Sequence, residues 1–374
     1  MVELINPETR VRDLTSAPRQ IPIEVDGSVA YESLLSMWTT FNPKEKATSF
    51  DLGAEWKKKI TDMTPDDLRD EIVALGGPYC HTWLAIAGLV ATAPHPHDPD
   101  SVLNWLSSMD PMRLRRWLIG YVSHNKDASL IEQAASGDIT VLPDLLEDDH
   151  QEFADHLAEI LQNPDDDLPA RFANAAQRFR REVFAEAEVE FGAAINRAAA
   201  ARKAVATRDS AKAVIEDVTN GLDYDIPLGV TRVVLVPSVV VKPLSLIDQH
   251  RETLLVFYAV ADEFIDSDPE APPSWLVRTY KALSDERRLR ILRRLSEGET
   301  TLDEITEMLG LSKSTVHHHI SILRAAGLVR VRLTHNESGA KCSTYNLRDH
   351  SLTDASAFLD SYIKTTTQKE AQHA

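Results

Sequence analysis

From Thr301 to Gly327 apolar residues recur at helical spacing in two short blocks. Leu302, Ile305 and Leu309 share one face of the first, and Val316, Ile320 and Leu323 share one face of the second. The residues between and around them supply the punctuation. Thr301 and Glu304 have capping-box spacing, Gly310 ends the first helix, Leu311 plugs the turn, Ser312 caps the second helix and Gly327 stops it. The pattern predicts a helix-turn-helix whose second helix turns Lys313, Ser314, Thr315, His317 and His318 outward from its N-terminal half. His319 falls nearer the buried face.

The flanks extend this unit. Upstream, Trp275 to Leu283 predicts one helix, and Asp285 caps another, ERRLRILRRLSEG, with Leu289, Leu292 and Leu295 inward and Arg287, Arg290 and Arg294 outward. Downstream, LVRVRLTH and KCSTYNL alternate around Ser338-Gly339 and predict a β-hairpin wing. A last helix from Ser351 to about Thr365 lines up Leu352, Ala355, Phe358, Leu359 and Tyr362 as an apolar stripe that needs a partner.

The longer N-terminal part reads differently. After an extended start, Arg19 to Val25, and a helix over Tyr31 to Thr39, Pro, Gly and Asp separate helical segments at 64–75, 79–92, 100–107, 111–122 and 151–162. A long helical stretch follows from Asp165–Asp167 to about Thr219, broken near 207–210. TRVVLVPSVVV and TLLVFYAV then predict strands of a small sheet. The expected fold class is therefore mainly α: a helical N-terminal domain with a small β element, plus a C-terminal winged helix-turn-helix of α+β character. The expected boundaries are 1–265 for an acidic effector or dimerisation domain, 266–273 for a Pro-rich linker, 274–366 for the DNA-binding domain with its dimerisation helix, and 367–374 for a disordered tail.

Charge sharpens the division. The net charge is -18, yet Ser274 to His350 holds 13 Lys+Arg against 9 Asp+Glu, while residues 1–273 hold 25 against 46. An acidic body confines duplex contact to the basic C-terminal module. Arg324 at the end of the second helix, with Arg330, Arg332 and Lys341 on or beside the hairpin, completes the expected DNA-facing set. No run of 18 apolar residues and no signal-peptide pattern occurs, and the two cysteines lie far apart, so a cytoplasmic location without membrane association is expected.

Candidate chemistry elsewhere is thin. Three consecutive histidines on a helix point about 100° apart and cannot close round one ion. Cys80-His81 and His95-Pro96-His97-Asp98 match no standard zinc spacing and read as a surface loop with incidental histidines. No P-loop, GxGxxG, HExxH or GxSxG is present, and neither a metal, a cofactor nor an enzymatic activity is expected.

Ser274 to Leu347 resembles the winged-helix domain of ArsR-type bacterial transcription regulators. The stretch KALSDERRLRILRRLSEGETTLDEITEMLGLSKSTVHHHISILRAAGLVR and the closing Tyr345-Asn346-Leu347 carry the resemblance. It implies a homodimer formed by the first and last helices of the domain, with Trp275 and Tyr280 joining the terminal stripe. It also implies binding of an imperfect inverted-repeat operator in double-stranded DNA, as a repressor released by an effector. Metal-sensing members carry a Cys pair before the recognition helix or a His and acid set on the last helix. Here the first place reads Leu302-Asp303-Glu304-Ile305-Thr306, and the last helix has His350 and Asp354 without a second His, which disfavours metal sensing through these positions; a small-molecule effector of the N-terminal domain is a further expected partner. Two alternatives stay open: an enzyme fused to a DNA-binding module, and a constitutive DNA-binding scaffold without a ligand.

Overall fold

The Asp-Pro and Asp-x-Pro punctuation of the first half sets its helices. Asp98 accepts from the backbone N–H of Ser101, Asp110 from Met112, Asp127 from Ser129 and Leu130, and Asp167 from Ala170, each satisfying a donor that the first turn leaves orphaned. Three of these helices also carry proline in the first turn, where no N–H is needed. The computed structural model describes residues 21–43, 50–123, 127–145, 151–163, 166–204, 210–265, 272–335, 341–348 and 350–372.

Twelve α-helices precede the C-terminal module among the described residues: α1 (Ala30–Phe41), α2 (Gly53–Met63), α3 (Asp66–Gly76), α4 (His81–Val90), α5 (Pro99–Ser107), α6 (Pro111–Val122), α7 (Ala128–Ala135), α8 (Leu142–Leu145), α9 (Gln151–Leu161), α10 (Leu168–Phe179), α11 (Ala185–Lys203) and α12 (Ala211–Val218). The sequence pattern had not marked α2 or α7. All residues of α1 from Ala30 to Thr40 are buried, so this helix runs through the core and not along its surface. Large side chains such as Trp83, Phe172, Phe179 and Phe184 fill the space around it. One π turn, Arg180–Phe184, joins α10 to α11 without breaking the rod. Arg115, fully buried, donates Nε to the Ala135 carbonyl and its Nη groups to the Leu161 and Asn163 carbonyls. One guanidinium thereby satisfies the C-terminal ends of α7 and α9, and desolvation lowers its pKa.

One strand before the helices and three after them form one sheet, ordered β1-β3-β5-β4: β1 (Ile23–Val25), β3 (Arg232–Ser238), β4 (Leu246–His250) and β5 (Thr253–Ala259). β1, β3 and β5 run parallel, and β4 closes the sheet antiparallel. Both faces are covered, as parallel sheets require. Val234 and Val236 join the main bundle core, whereas Val233 and Leu235 pack with Val214, Ile215 and Val218 of α12.

The C-terminal module comprises α13 (Ser274–Leu283), α14 (Glu286–Ser296), β6 (Thr300–Thr301), α15 (Leu302–Leu309), α16 (Lys313–Ala325), β7 (Val329–His335), β8 (Lys341–Leu347) and α17 (Ser351–Gln372). Its core gathers Ile291, Leu292, Leu295, Ile305, Val316, Ile320 and Leu323. Leu289, expected inward, is 48% exposed, and Ile291 takes its place. α17 runs on to Gln372, through residues that the pattern had assigned to a disordered tail. The hairpin sheet has a fourth strand that sequence reading missed. β2 (Leu222–Tyr224), from the N-terminal part, pairs in parallel with β7, giving the order β2-β7-β8-β6. The expected linker at 266–273 lies largely outside the described residues. On either side of it the two parts share a sheet.

Candidate nucleic-acid interface

Local chemistry builds the helix pair as its sequence predicts. Thr301 Oγ1 accepts from the Glu304 N–H at 3.3 Å, and Glu304 Oε2 accepts from the Thr301 N–H at 2.8 Å, a complete capping box. Gly310 ends α15 at φ 64°, ψ 32°, the left-handed region that a side chain disfavours. Ser312 Oγ accepts from the Thr315 N–H and also meets the hydroxyls of Ser314 and Thr315 at 3.0 and 2.8 Å.

α16 buries Val316, His319, Ile320 and Leu323 and exposes Lys313, Ser314, His317 and His318, with Thr315 half-buried. Among the described residues the exposed groups have only local partners: Lys313 pairs with Asp303 at 2.7 Å, and Ser321 lies beside His317. Positive partial charge at the helix N-terminus, hydroxyls bonded only to one another and to the first turn, and a cation share one solvent-facing end, a combination suited to phosphate and base edges. His319 faces inward as expected. Desolvation lowers its pKa against the opposing pull of Asp285, so its buried position disfavours the charged form.

The other expected contacts are placed differently. Arg330 Nε lies 2.7 Å from Glu216, and Arg332 Nε donates to Asp223 Oδ2 at 2.9 Å while its Nη1 lies 3.5 Å from Glu299. Glu216 closes α12 and Asp223 is the middle residue of β2, so the wing arginines are spent on carboxylates of the N-terminal part. Asp223, with a side chain 2% exposed, also pairs with Lys212. Burial raises its pKa, but Lys212, Arg332 and Arg330 outweigh that and the net shift is downward. Arg324 lies two turns beyond His317 on the same side of α16 but does not face solvent as His317 does. It sits half-buried against the N-terminal part, where desolvation lowers its pKa. The Lys341 side chain lies outside the described residues. Sequence reasoning missed Asp223 and Glu216. The only available signals were the short alternation Leu222-Asp223-Tyr224 and the need of a wing edge for a cover.

The expected dimer residues cluster on α13 and α17. Trp275 and Phe358 meet edge to face at 5.0 Å, Ala355 is buried, and Leu359 and Tyr362 are half-buried. Tyr280, Leu352 and Phe358 remain exposed on the same pair of helices. α13 is anchored at its start by Asp262, which accepts from the Trp275 N–H and the Ser274 hydroxyl and pairs with Lys242. Arg278 of α13 pairs with Asp51 at 2.7 Å.

The motifs set aside in the N-terminal part prove to be structural. His97, expected on a surface loop, is largely enclosed. Its Nδ1 meets Asp26 at 2.6 Å and its Nε2 meets the Ala93 carbonyl at 2.9 Å, so neither nitrogen is free for a metal. Ser28 completes a Ser, His and Asp group, but its hydroxyl donates to the His97 carbonyl, so no base faces the nucleophile. Burial pushes the Cys80 thiol up to about 12, which leaves it inert.

Comparison with known proteins agrees with the geometry of the helix pair. The family model described as "Bacterial regulatory protein, arsR family" matches residues 285–331. The transcriptional activator HlyU of Vibrio cholerae is 42% identical over 52 residues, 14% of this chain and 48% of that protein. The HTH-type transcriptional regulator KmtR of Mycobacterium tuberculosis is 32% identical over 73 residues, 18% of this chain and 56% of that protein. The transcriptional repressor SdpR of Bacillus subtilis is 38% identical over 50 residues, 13% of this chain and 56% of that protein. A solved structure of reduced HlyU aligns with 24% of this chain and 90% of that one at 29% identity, with a TM-score of 0.19. The chain thus spans about half the length of the curated relatives it matches. The C-terminal part of this chain carries an ArsR-type helix-turn-helix.

Proposed function

We propose that this protein is a DNA-binding transcription regulator that reads an inverted-repeat operator as a homodimer, with its N-terminal part acting as the effector domain. The observation that carries the reading is the capped, solvent-facing N-terminal end of α16 inside an ArsR-type helix-turn-helix. Lys313, Ser314, Thr315, His317 and His318 are the proposed base and phosphate contacts. Arg330 and Arg332 would join them only after leaving Glu216 and Asp223. The relatives named above include an activator and a repressor. Repression is the sign adopted here, because effector-controlled release needs only a loss of DNA contact.

The test is selection of duplex fragments from a random pool by the purified full-length chain, followed by footprinting. An enriched inverted repeat with protected half-sites about one helical turn apart is expected. No enrichment above a scrambled pool would overturn the reading. The dimer is tested by Phe358→Asp, which places a charge on the exposed stripe of α13 and α17. Light scattering should show a shift to monomer, and an unchanged dimer would remove this stripe as the interface.

A further inference from the structure

A cleft of about 920 Å3 opens between the reading head and the N-terminal part. Its walls are mostly apolar: Leu84 of α4, Leu222 and Tyr224 of β2, Leu246 of β4, Phe257 of β5 and Leu333 of the wing. Arg324, from the C-terminal end of the recognition helix, also lines it. Among the described residues no carboxylate pairs with Arg324, whose pKa burial lowers. Both acids of the lining are already engaged: Asp248 accepts from the Tyr121 hydroxyl and lies 3.0 Å from His250 Nε2, and Asp225 pairs with Lys212 at 2.6 Å. His250 is in turn stacked between Trp117 and Tyr121 over Gly88, where a β-carbon would lie 2.0 Å from its ring. The polar end of the cleft is thus fixed and rigid, while the cation opposite is left over. An unpaired guanidinium in an apolar cleft of ligand size is a site for an amphipathic acid.

We propose that this cleft binds a small molecule with an apolar body and a single acidic group, the acid seated on Arg324. The apolar part replaces water along Leu222, Tyr224, Leu246 and Leu333. Strand alternation couples the site to the wing, because Leu222 and Tyr224 line the cleft while Asp223 between them grips Arg332 from the other face. Occupancy therefore bears on the strand whose Asp223 pairs with Arg332 and Arg330. That consequence for DNA rests on the function proposed above, but binding itself does not, and it is measured without DNA.

The experiment is a fluorescence titration of the full-length chain with anilinonaphthalene sulfonate, an apolar anionic dye, followed by displacement with decanoate and with decan-1-ol. Saturable binding is expected, with decanoate displacing the dye at a concentration roughly tenfold or more below that of the alcohol. Arg324→Leu should abolish that preference, Arg324→Lys should restore part of it, and Ser245→Trp, which fills the cleft, should abolish dye binding. Equal displacement by acid and alcohol overturns the proposal, as does dye binding that survives Ser245→Trp. Far-UV circular dichroism checks that each variant is folded. If Arg324→Leu is not folded, the acid-to-alcohol ratio on the unaltered chain and the Ser245→Trp result still decide the matter. A chain that binds decanoate but no DNA would sink the regulatory reading and leave the site standing.

Discussion

The recognition helix and the wing belong to one reading head, yet they meet the rest of the chain in opposite ways. At the N-terminal end of α16, Lys313, Ser314, His317 and His318 face solvent and touch only neighbours on their own helix pair. On β7, Arg330 and Arg332 face carboxylates supplied from more than a hundred residues upstream. The cation of one arm has only an exposed pair with Asp303 beside it, whereas those of the other are bound to carboxylates of the N-terminal part. Composition alone could not distinguish them, because the net positive charge of the C-terminal stretch counts all these cations alike. What separates them is a three-residue strand that covers an edge which would otherwise be open.

The widest gap between the arms should appear in DNA affinity. Lys313→Ala combined with His317→Ala should weaken binding to the selected operator by about 1–3 kcal/mol per lost specific contact. The unfolding midpoint should hardly move, since the pair lost with Asp303 is an exposed one worth about 0–1 kcal/mol. Gel-shift titrations beside urea unfolding read both quantities. Unchanged affinity would mean that α16 does not enter the groove, and the distinction between the arms would collapse.

The helix pair was legible because every signal in it is local. Capping box, left-handed glycine and inward stripe lie within 27 consecutive residues, and each acts on its own helix. The helical segments of the N-terminal part were legible for the same reason, since Asp and Pro sit at their starts. The clamp on the wing was not. Asp223 meets Arg332 across 109 positions, and no periodicity within Leu222–Tyr224 is long enough to announce a strand. Arg324 went astray for a related reason. Helical spacing gives its direction around the axis of α16, but not that the N-terminal part lies on that side. The inward turn of Ile291 in place of Leu289 shows a narrower version of the problem, a choice between adjacent apolar residues that only packing decides.

Stability should show the converse gap. Asp223→Ala leaves Lys212 and Arg332 without their shared partner in a largely buried position. Breaking such a pair costs about 3–5 kcal/mol when both ends are buried, and the 45% exposure of Arg332 reduces the expectation to about 2–3 kcal/mol. Urea unfolding near neutral pH measures it. The sign with pH follows from the lowered Asp223 pKa. Its folded value lies below the ordinary 3.8, so its contribution is complete above that pH and is lost as pH falls through the folded value. The difference between the unaltered chain and Asp223→Ala should therefore be flat from pH 8 to about pH 5 and shrink only below about pH 4. A difference that fades between pH 8 and 6 would mean that another group holds the wing.

The smallest effect is the most discriminating, because it asks whether the clamp holds while DNA is bound. A cation that reaches a phosphate adds roughly one unit to the slope of log affinity against log salt, whereas a cation already paired with a carboxylate releases no net counterion. Arg330→Ala with Arg332→Ala should accordingly leave the slope of the unaltered chain within about half a unit. Asp223→Asn with Glu216→Gln keeps the shape of both carboxylates and removes their charge, so the freed arginines should steepen the slope by up to about two units. Adding Arg330→Ala and Arg332→Ala to that variant should cancel the gain. If the arginine substitutions alone flatten the slope by two units, the wing has already left its acidic partners in the complex. The clamp would then belong to the DNA-free state, and the strand that carries Asp223 would have to move whenever the operator is bound.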